Sequence, residues 1–286
     1  MVFHNGFVKY LPVNYLLIVV SLIAIAGCSP LSVLNTVVSD TGFIASRDIA
    51  YGENPRQKLD IYVPVQSLAG ANNVVVFFYG GRWQEGSKQD YRFVGEALAA
   101  QNFVVVIPDY RLYPEVRFPE FVRDAAQAVR WVQSNIQNYS GNPNRIYLLG
   151  HSAGAHIVAL LNLDERYLQD NKVRGAIGLA GPYDFLPLES ADLEAIFSGA
   201  GLADSQPINF VDGTEPPMLL LSGADDDTVN PGNSLRLAAR IREKGGSVQV
   251  ILYPDVSHGF IVGALAAPLQ EWAPTLMDVT VFINTY

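Results

Sequence analysis

Cysteine is almost absent from this chain: its 286 residues hold one, Cys28, so no internal disulfide can form. Histidine is scarce as well, at four residues, and four scattered histidines with a lone cysteine give no metal-ligand set. Charged residues make up only 16%, and acidic side chains outnumber basic ones by 28 to 19. A net charge of −9 with no basic patch removes the electrostatic basis for holding nucleic acid. Neither an internal repeat nor a low-complexity tract interrupts the sequence. What the chain has in plenty is apolar side chains, at 49%, enough for the sizeable core of one large α/β domain.

The N-terminus separates from the rest. Lys9 precedes an apolar run from Tyr15 to Ala26 that ends in Ile25-Ala26-Gly27-Cys28. That run is far shorter than the roughly 20 residues of a spanning helix and has the length of a secretory signal core. Its ending resembles a bacterial lipobox, in which the cysteine is lipidated and becomes the new N-terminus. Residues 1–27 then read as a lipoprotein signal peptide, with an ordinary signal or an uncleaved anchor as the competing readings. Ser29 follows rather than Asp, which by resemblance to Gram-negative sorting favours the outer membrane. The expectation is an exported cell-envelope lipoprotein facing the periplasm, held to the membrane through acylated Cys28.

Residues 28–46 carry no strong period and read as a tether; 47–286 read as the folded domain. Strands are expected at Leu59–Val63, Val74–Tyr79, Phe103–Ile107, Ile146–Leu149, Ala176–Ala180, Met218–Leu221 and Val248–Tyr253. Most are continuous apolar runs, the pattern of a parallel sheet covered on both faces. Helical spacing falls between them at Tyr91–Ala100, Phe121–Ile136, Ala153–Leu161 and Ser234–Lys244; Val122, Ala125, Val129, Val132 and Ile136 form one stripe. This alternation predicts an α/β fold with a mostly parallel sheet and helices on both faces. Residues 181–217, rich in proline, break the pattern and are placed to form a small cap over a site.

Gly150-His151-Ser152-Ala153-Gly154 falls where a strand turns into a helix. A G-x-S-x-G motif in that setting presents a strained serine, and the helix start offers backbone N–H groups to a developing oxyanion. A serine nucleophile needs a base within hydrogen-bond reach. His4 lies in the segment to be removed, His151 is expected to diverge from its neighbour Ser152, and His156 packs along the helix. His258 remains, in a loop after the strand Val248–Tyr253, where parallel sheets place their sites. A carboxylate is then needed to orient the imidazole. Asp225, Asp226 and Asp227 follow the strand Met218–Leu221, and the residues alone leave the choice open. A calcium loop is the rival use of these aspartates, but the EF-hand spacing is missing. The order Ser…Asp…His is that of the α/β-hydrolases.

With these residues in hand, the chain from about Arg47 onward resembles the carboxylesterase branch of the α/β-hydrolase superfamily, near the hormone-sensitive-lipase-like and arylformamidase-like esterases. In that family the acid occurs as G-x-x-D-x-x-V, which Gly223, Asp226 and Val229 match; the resemblance selects Asp226, with Asp227 as runner-up. The family's His-Gly-Gly oxyanion motif corresponds here to Tyr79-Gly80-Gly81-Arg82-Trp83. It implies that Gly81 and Arg82, with Ala153, supply the oxyanion N–H groups. Tyr79 replaces a histidine that organises this loop. Asp109 and Arg111, in a further segment shared with the branch, read as a structural ion-pair network, and Glu85-Gly86-Ser87-Lys88 as the loop that seats the next helix.

The expected function is a serine hydrolase of small carboxylic esters, with no cofactor, no metal and no nucleic-acid partner. An arylformamidase-like amidase or small peptidase is the rival enzyme. A catalytically dead hydrolase fold used as a surface-binding lipoprotein is the rival of another class.

Overall fold

The computed structural model describes residues 30–36, 41–67, 70, 72–169 and 173–286. Eight strands form one sheet: β1 (Phe43–Ala50), β2 (Lys58–Pro64), β3 (Asn72–Phe78), β4 (Val104–Pro108), β5 (Gly141–His151), β6 (Val173–Leu179), β7 (Met218–Gly223) and β8 (Val248–Tyr253). Their order is β1-β2-β4-β3-β5-β6-β7-β8. β2 runs antiparallel to both its neighbours, and every pairing from β4 to β8 is parallel. The sheet is therefore mostly parallel, as the continuous apolar runs require: Val74–Phe78 of β3 and all of β4 are buried on both faces.

The helices are α1 (Pro30–Thr36), α2 (Arg92–Ala99), α3 (Glu120–Asn135), α4 (Ala153–Leu163), α5 (Ala191–Ile196), α6 (Gly232–Glu243), α7 (His258–Gly263) and α8 (Thr275–Thr285). The stripe expected on α3 is fully buried from Val122 to Val132, with Ile136 just beyond its end. α4 is apolar apart from His156 and Asn162, and every one of its residues is buried. Such a helix lies inside the domain rather than on its surface. It follows β5 directly, so the serine between them sits at the middle of the molecule.

Two features add to the elements expected. The described part of the segment read as a tether holds α1 and the start of β1. Asn35 of α1 ties it to the domain: its amide donates to the carbonyls of Gln89 (2.9 Å) and Asp90 (3.0 Å), and its oxygen accepts from Phe93 N (3.1 Å). Strand β1 escapes a reading by pattern because only Phe43 is buried, and a shift in register between Ser46 and Ile49 breaks its alternation. The C-terminal helices α7 and α8 add to the elements expected. Residues 1–27 and Cys28 lie outside the described residues.

Candidate active site

Ser152 stands alone between β5 and α4 at φ 54° and ψ −120°, a conformation that a side-chain-bearing residue rarely adopts. Its surroundings hold it there. Its N–H donates to Leu179 O (2.9 Å), and its carbonyl accepts from Ala155 N (2.9 Å) and His156 N (3.1 Å). The flanking glycines explain why strand and helix come so close. A methyl group on Gly154 would lie 1.9 Å from Phe78 O, and one on Gly150 would lie 2.3 Å from Gly154 O.

His258, the first residue of α7, places Nε2 2.9 Å from Ser152 Oγ, across 106 residues of sequence. Its Nδ1 lies 2.8 Å from Asp226 Oδ2. An ionised carboxylate only accepts, so Nδ1 carries the proton and Nε2 is left to accept from the serine hydroxyl. The other oxygen of Asp226 accepts from Thr228 N (2.9 Å) and Val229 N (2.8 Å). Burial pushes the Asp226 carboxyl up, but the His258 hydrogen bond and these two N–H groups outweigh it, so its pKa falls below the usual value. The three consecutive aspartates are thus unlike: Asp226 is buried while Asp225 and Asp227 face solvent. Asp227 accepts a long 3.3 Å bond from the Thr228 hydroxyl.

The loop after β3 turns through three consecutive left-handed residues, Gly81 (φ 128°), Arg82 (φ 51°) and Trp83 (φ 60°). The carbonyl of Gly81 accepts from Gln84 N and Glu85 N, both at 3.0 Å, which folds the loop back on itself. Arg82 and Ala153 line the same cavity as Ser152, and their N–H groups make no backbone hydrogen bond among the described residues. Tyr79 organises the loop from beneath. Its hydroxyl donates to Asp109 Oδ1 (2.7 Å) and accepts from Arg56 Nη2 (3.1 Å), while its carbonyl accepts from the Tyr110 hydroxyl (2.8 Å). Asp109 also accepts from Lys88 N (2.8 Å). Asp109 and Arg111 are structural but are not partners of each other: Arg111 makes a bidentate pair with Asp124 (2.7 and 2.8 Å).

Lys88, expected in a simple connecting loop, is a fully buried cation clamped by Asp48 (2.7 Å) and Asp60 (2.8 Å). His156 is buried with its ring against Trp83, Phe185 and Phe197, and donates from Nε2 to Ser205 O (2.7 Å). The cavity above Ser152 measures about 320 Å³. One wall comes from the segment anticipated as a cap, through Phe185, Leu186 and Leu193. Two side chains that the sequence reading passed over pin that wall. Asn233 Oδ1 accepts from Tyr183 N (2.9 Å) and Asp184 N (2.8 Å), and Gln206 Oε1 accepts from Phe185 N (2.7 Å). No local pattern marks either residue, since each acts at a distance in sequence. Among the described residues no cluster of three or more His, Cys, Asp or Glu side chains is arranged to hold a metal ion.

Comparison with known proteins finds esterases among the similar chains. Isoprenylcysteine alpha-carbonyl methylesterase ICME of Arabidopsis thaliana is 30% identical over 264 residues, 81% of this chain and 60% of that protein. Kynurenine formamidase of Danio rerio is 38% identical over 145 residues, 50% of this chain and 48% of that one. The chain thus spans about half to three-fifths of the length of these relatives. Among solved structures, an inhibited esterase B from Lactobacillus rhamnosis superposes with a TM-score of 0.77 at 19% identity, covering 93% of this chain and 94% of that one. That likeness carries the fold, which is the α/β-hydrolase fold. The BD-FAE family model matches residues 59–241, from β2 through most of α6, and the chain belongs to the BD-FAE family.

Proposed function

We propose that the protein is a carboxylesterase that cleaves small carboxylic esters through an acyl-enzyme on Ser152. The observation that carries this reading is the unbroken relay from Asp226 through His258 to Ser152, with both hydrogen bonds below 3 Å. His258 Nε2 takes the hydroxyl proton as Oγ attacks the ester carbonyl, and Asp226 stabilises the imidazolium that results. The N–H groups of Gly81, Arg82 and Ala153 receive the oxyanion. His258 then gives its proton to the departing alcohol, and water repeats the sequence on the acyl-enzyme. Ser152→Ala is expected to remove p-nitrophenyl acetate hydrolysis while leaving the thermal unfolding transition in place. Normal turnover by that variant would overturn the assignment.

Amide cleavage is the second reading, favoured by the similarity to kynurenine formamidase. Parallel turnover of a short aryl ester and an N-formyl arylamine separates the two, the ester being the faster substrate under this proposal. A dead fold used for binding is disfavoured by the presence of all three relay residues, and a fluorophosphonate probe would leave such a protein unlabelled. For its place in the cell, we propose an exported lipoprotein anchored through acylated Cys28, of the outer-membrane type by Ser29, on the strength of the Ile25-Ala26-Gly27-Cys28 ending. Failure of a palmitate analogue to label the chain in a bacterial host would remove the anchor.

A further inference from the structure

His151 is the neighbour of Ser152 in the elbow, yet it does not face the serine. Its ring, buried within the domain, sits 4.9 Å from the ring of His258, and its Nε2 lies 3.0 Å from the backbone carbonyl of His258. A carbonyl oxygen can only accept, so Nε2 carries the proton and the ring is in one defined tautomer. The remaining nitrogen, Nδ1, is buried without a hydrogen-bond partner among the described residues. It lies against Gly80: a methyl group there would come 3.0 Å from Nδ1 and 2.9 Å from Ser152 Cβ. One imidazole therefore touches the first oxyanion-loop glycine, the elbow and the base loop.

The base loop needs such a hold. Asp226 fixes the side chain of His258, not its backbone. Ser257, at the N-cap of α7, makes no side-chain capping bond, and α7 has only six residues. The hydrogen bond from His151 reaches across 107 residues to the carbonyl of the base itself. We infer that His151 is a positioning residue, which holds the His258 backbone so that Nε2 meets the serine hydroxyl. Burial, with the adjacent His258 ring second, lowers the His151 pKa to about 3, against smaller opposing effects of the His258 carbonyl and Asp226. The ring thus stays neutral and adds no positive charge beside the imidazolium formed during turnover.

This rests on the relay read above, and the experiment keeps the two apart. His151→Leu removes the donor while keeping an apolar body; His151→Gln keeps a donor. The expected result for His151→Leu is a kcat lower by about 10- to 100-fold with KM within about twofold, since a displacement of catalytic atoms affects the transition state more than binding. His151→Gln is expected to recover most of that loss. Turnover by His151→Leu within about twofold of the parent, or equal losses in both variants, would overturn the inference. Ser152→Ala is run beside them: full activity there sinks the proposed function, whereas its loss with an unaffected His151→Leu sinks only the positioning role. A readout on the unaltered protein guards against a variant that does not fold. Nitrogen-15 spectra of the histidine-labelled chain, with each ring assigned to its residue, are expected to show two rings protonated at Nε2 and neutral from about pH 8 down to about pH 5, those of His156 and His151. A His151 ring that titrates within that range contradicts the inference.

Discussion

Of the buried polar networks in this domain, two stand in contrast, and one of these two ends at the cavity. On the β1–β2 side, Lys88 is held between Asp48 and Asp60, and Asp60 also accepts from Asp48 N (2.9 Å). Close by, Asp109 is held by the Tyr79 hydroxyl and Lys88 N. On the β7–β8 side, Asp226 is held by two N–H groups and His258, and the line ends on the Ser152 hydroxyl, which lines the cavity. Burial of a carboxylate among strong donors is common to both. The difference is closure. Each group named in the first network is occupied by fixed protein partners, so it supports the loop above; the second leaves one end open to the cavity.

Exchanging the roles of the two networks should fail in opposite ways. Asp226→Asn is expected to lower kcat on the order of a thousandfold or more, through the wrong imidazole tautomer, with a smaller loss of stability than Lys88→Met shows. Asp227→Asn, altering a solvent-facing neighbour, should leave kcat within about twofold. Lys88→Met should do the reverse of Asp226→Asn. It leaves Asp60 buried without its cation, which costs about 3 kcal/mol or more in chemical denaturation. Its activity per folded molecule should fall far less. If Lys88→Met proved as stable as the parent, or Asp226→Asn as active, the contrast between support and chemistry would collapse.

A smaller effect separates the two carboxylates by pH. Burial raises the Asp109 pKa above 3.8, against the hydrogen bonds from Tyr79 and Lys88 N, so ionised Asp109 opposes folding at neutral pH. That opposition is relieved as the pH falls through its raised folded value. The Asp226 pKa lies below 3.8 in the fold, so its stabilising contribution is complete above the unfolded value and is lost as the pH drops through the folded one. Unfolding temperatures of Asp109→Asn and Asp226→Asn, each measured against the parent across this acid range, should therefore diverge with opposite slopes. Parallel slopes would show that the two carboxylates feel the same environment.

The strands from β2 to β8 were legible because a parallel sheet buried on both faces writes itself as uninterrupted apolar runs; β8 was placed to the residue, and the others within a few residues at their ends. Strand β1 was not legible, since an edge with one buried residue has no face to repeat. In the site, Ser152 and His258 could be singled out because a strained elbow has a motif and histidine is rare. Asp226 needed the family pattern, since three adjacent aspartates look alike until two N–H groups and an imidazole converge on one of them. The partners of Lys88, His151 and Asn233 were not readable at all. Each is chosen by a contact across the fold, and no local spacing records it.

The wall of the cavity formed by residues 181–217 is pinned to the rest of the domain by single side chains, among them His156 and Asn233. The residues of the proposed relay follow strand ends or open helices, whereas much of the cavity wall belongs to one excursion of the chain. Selectivity in such a molecule is separable from reactivity: the excursion can be rewritten between its pins, one loop at a time, while the elbow beneath keeps its shape.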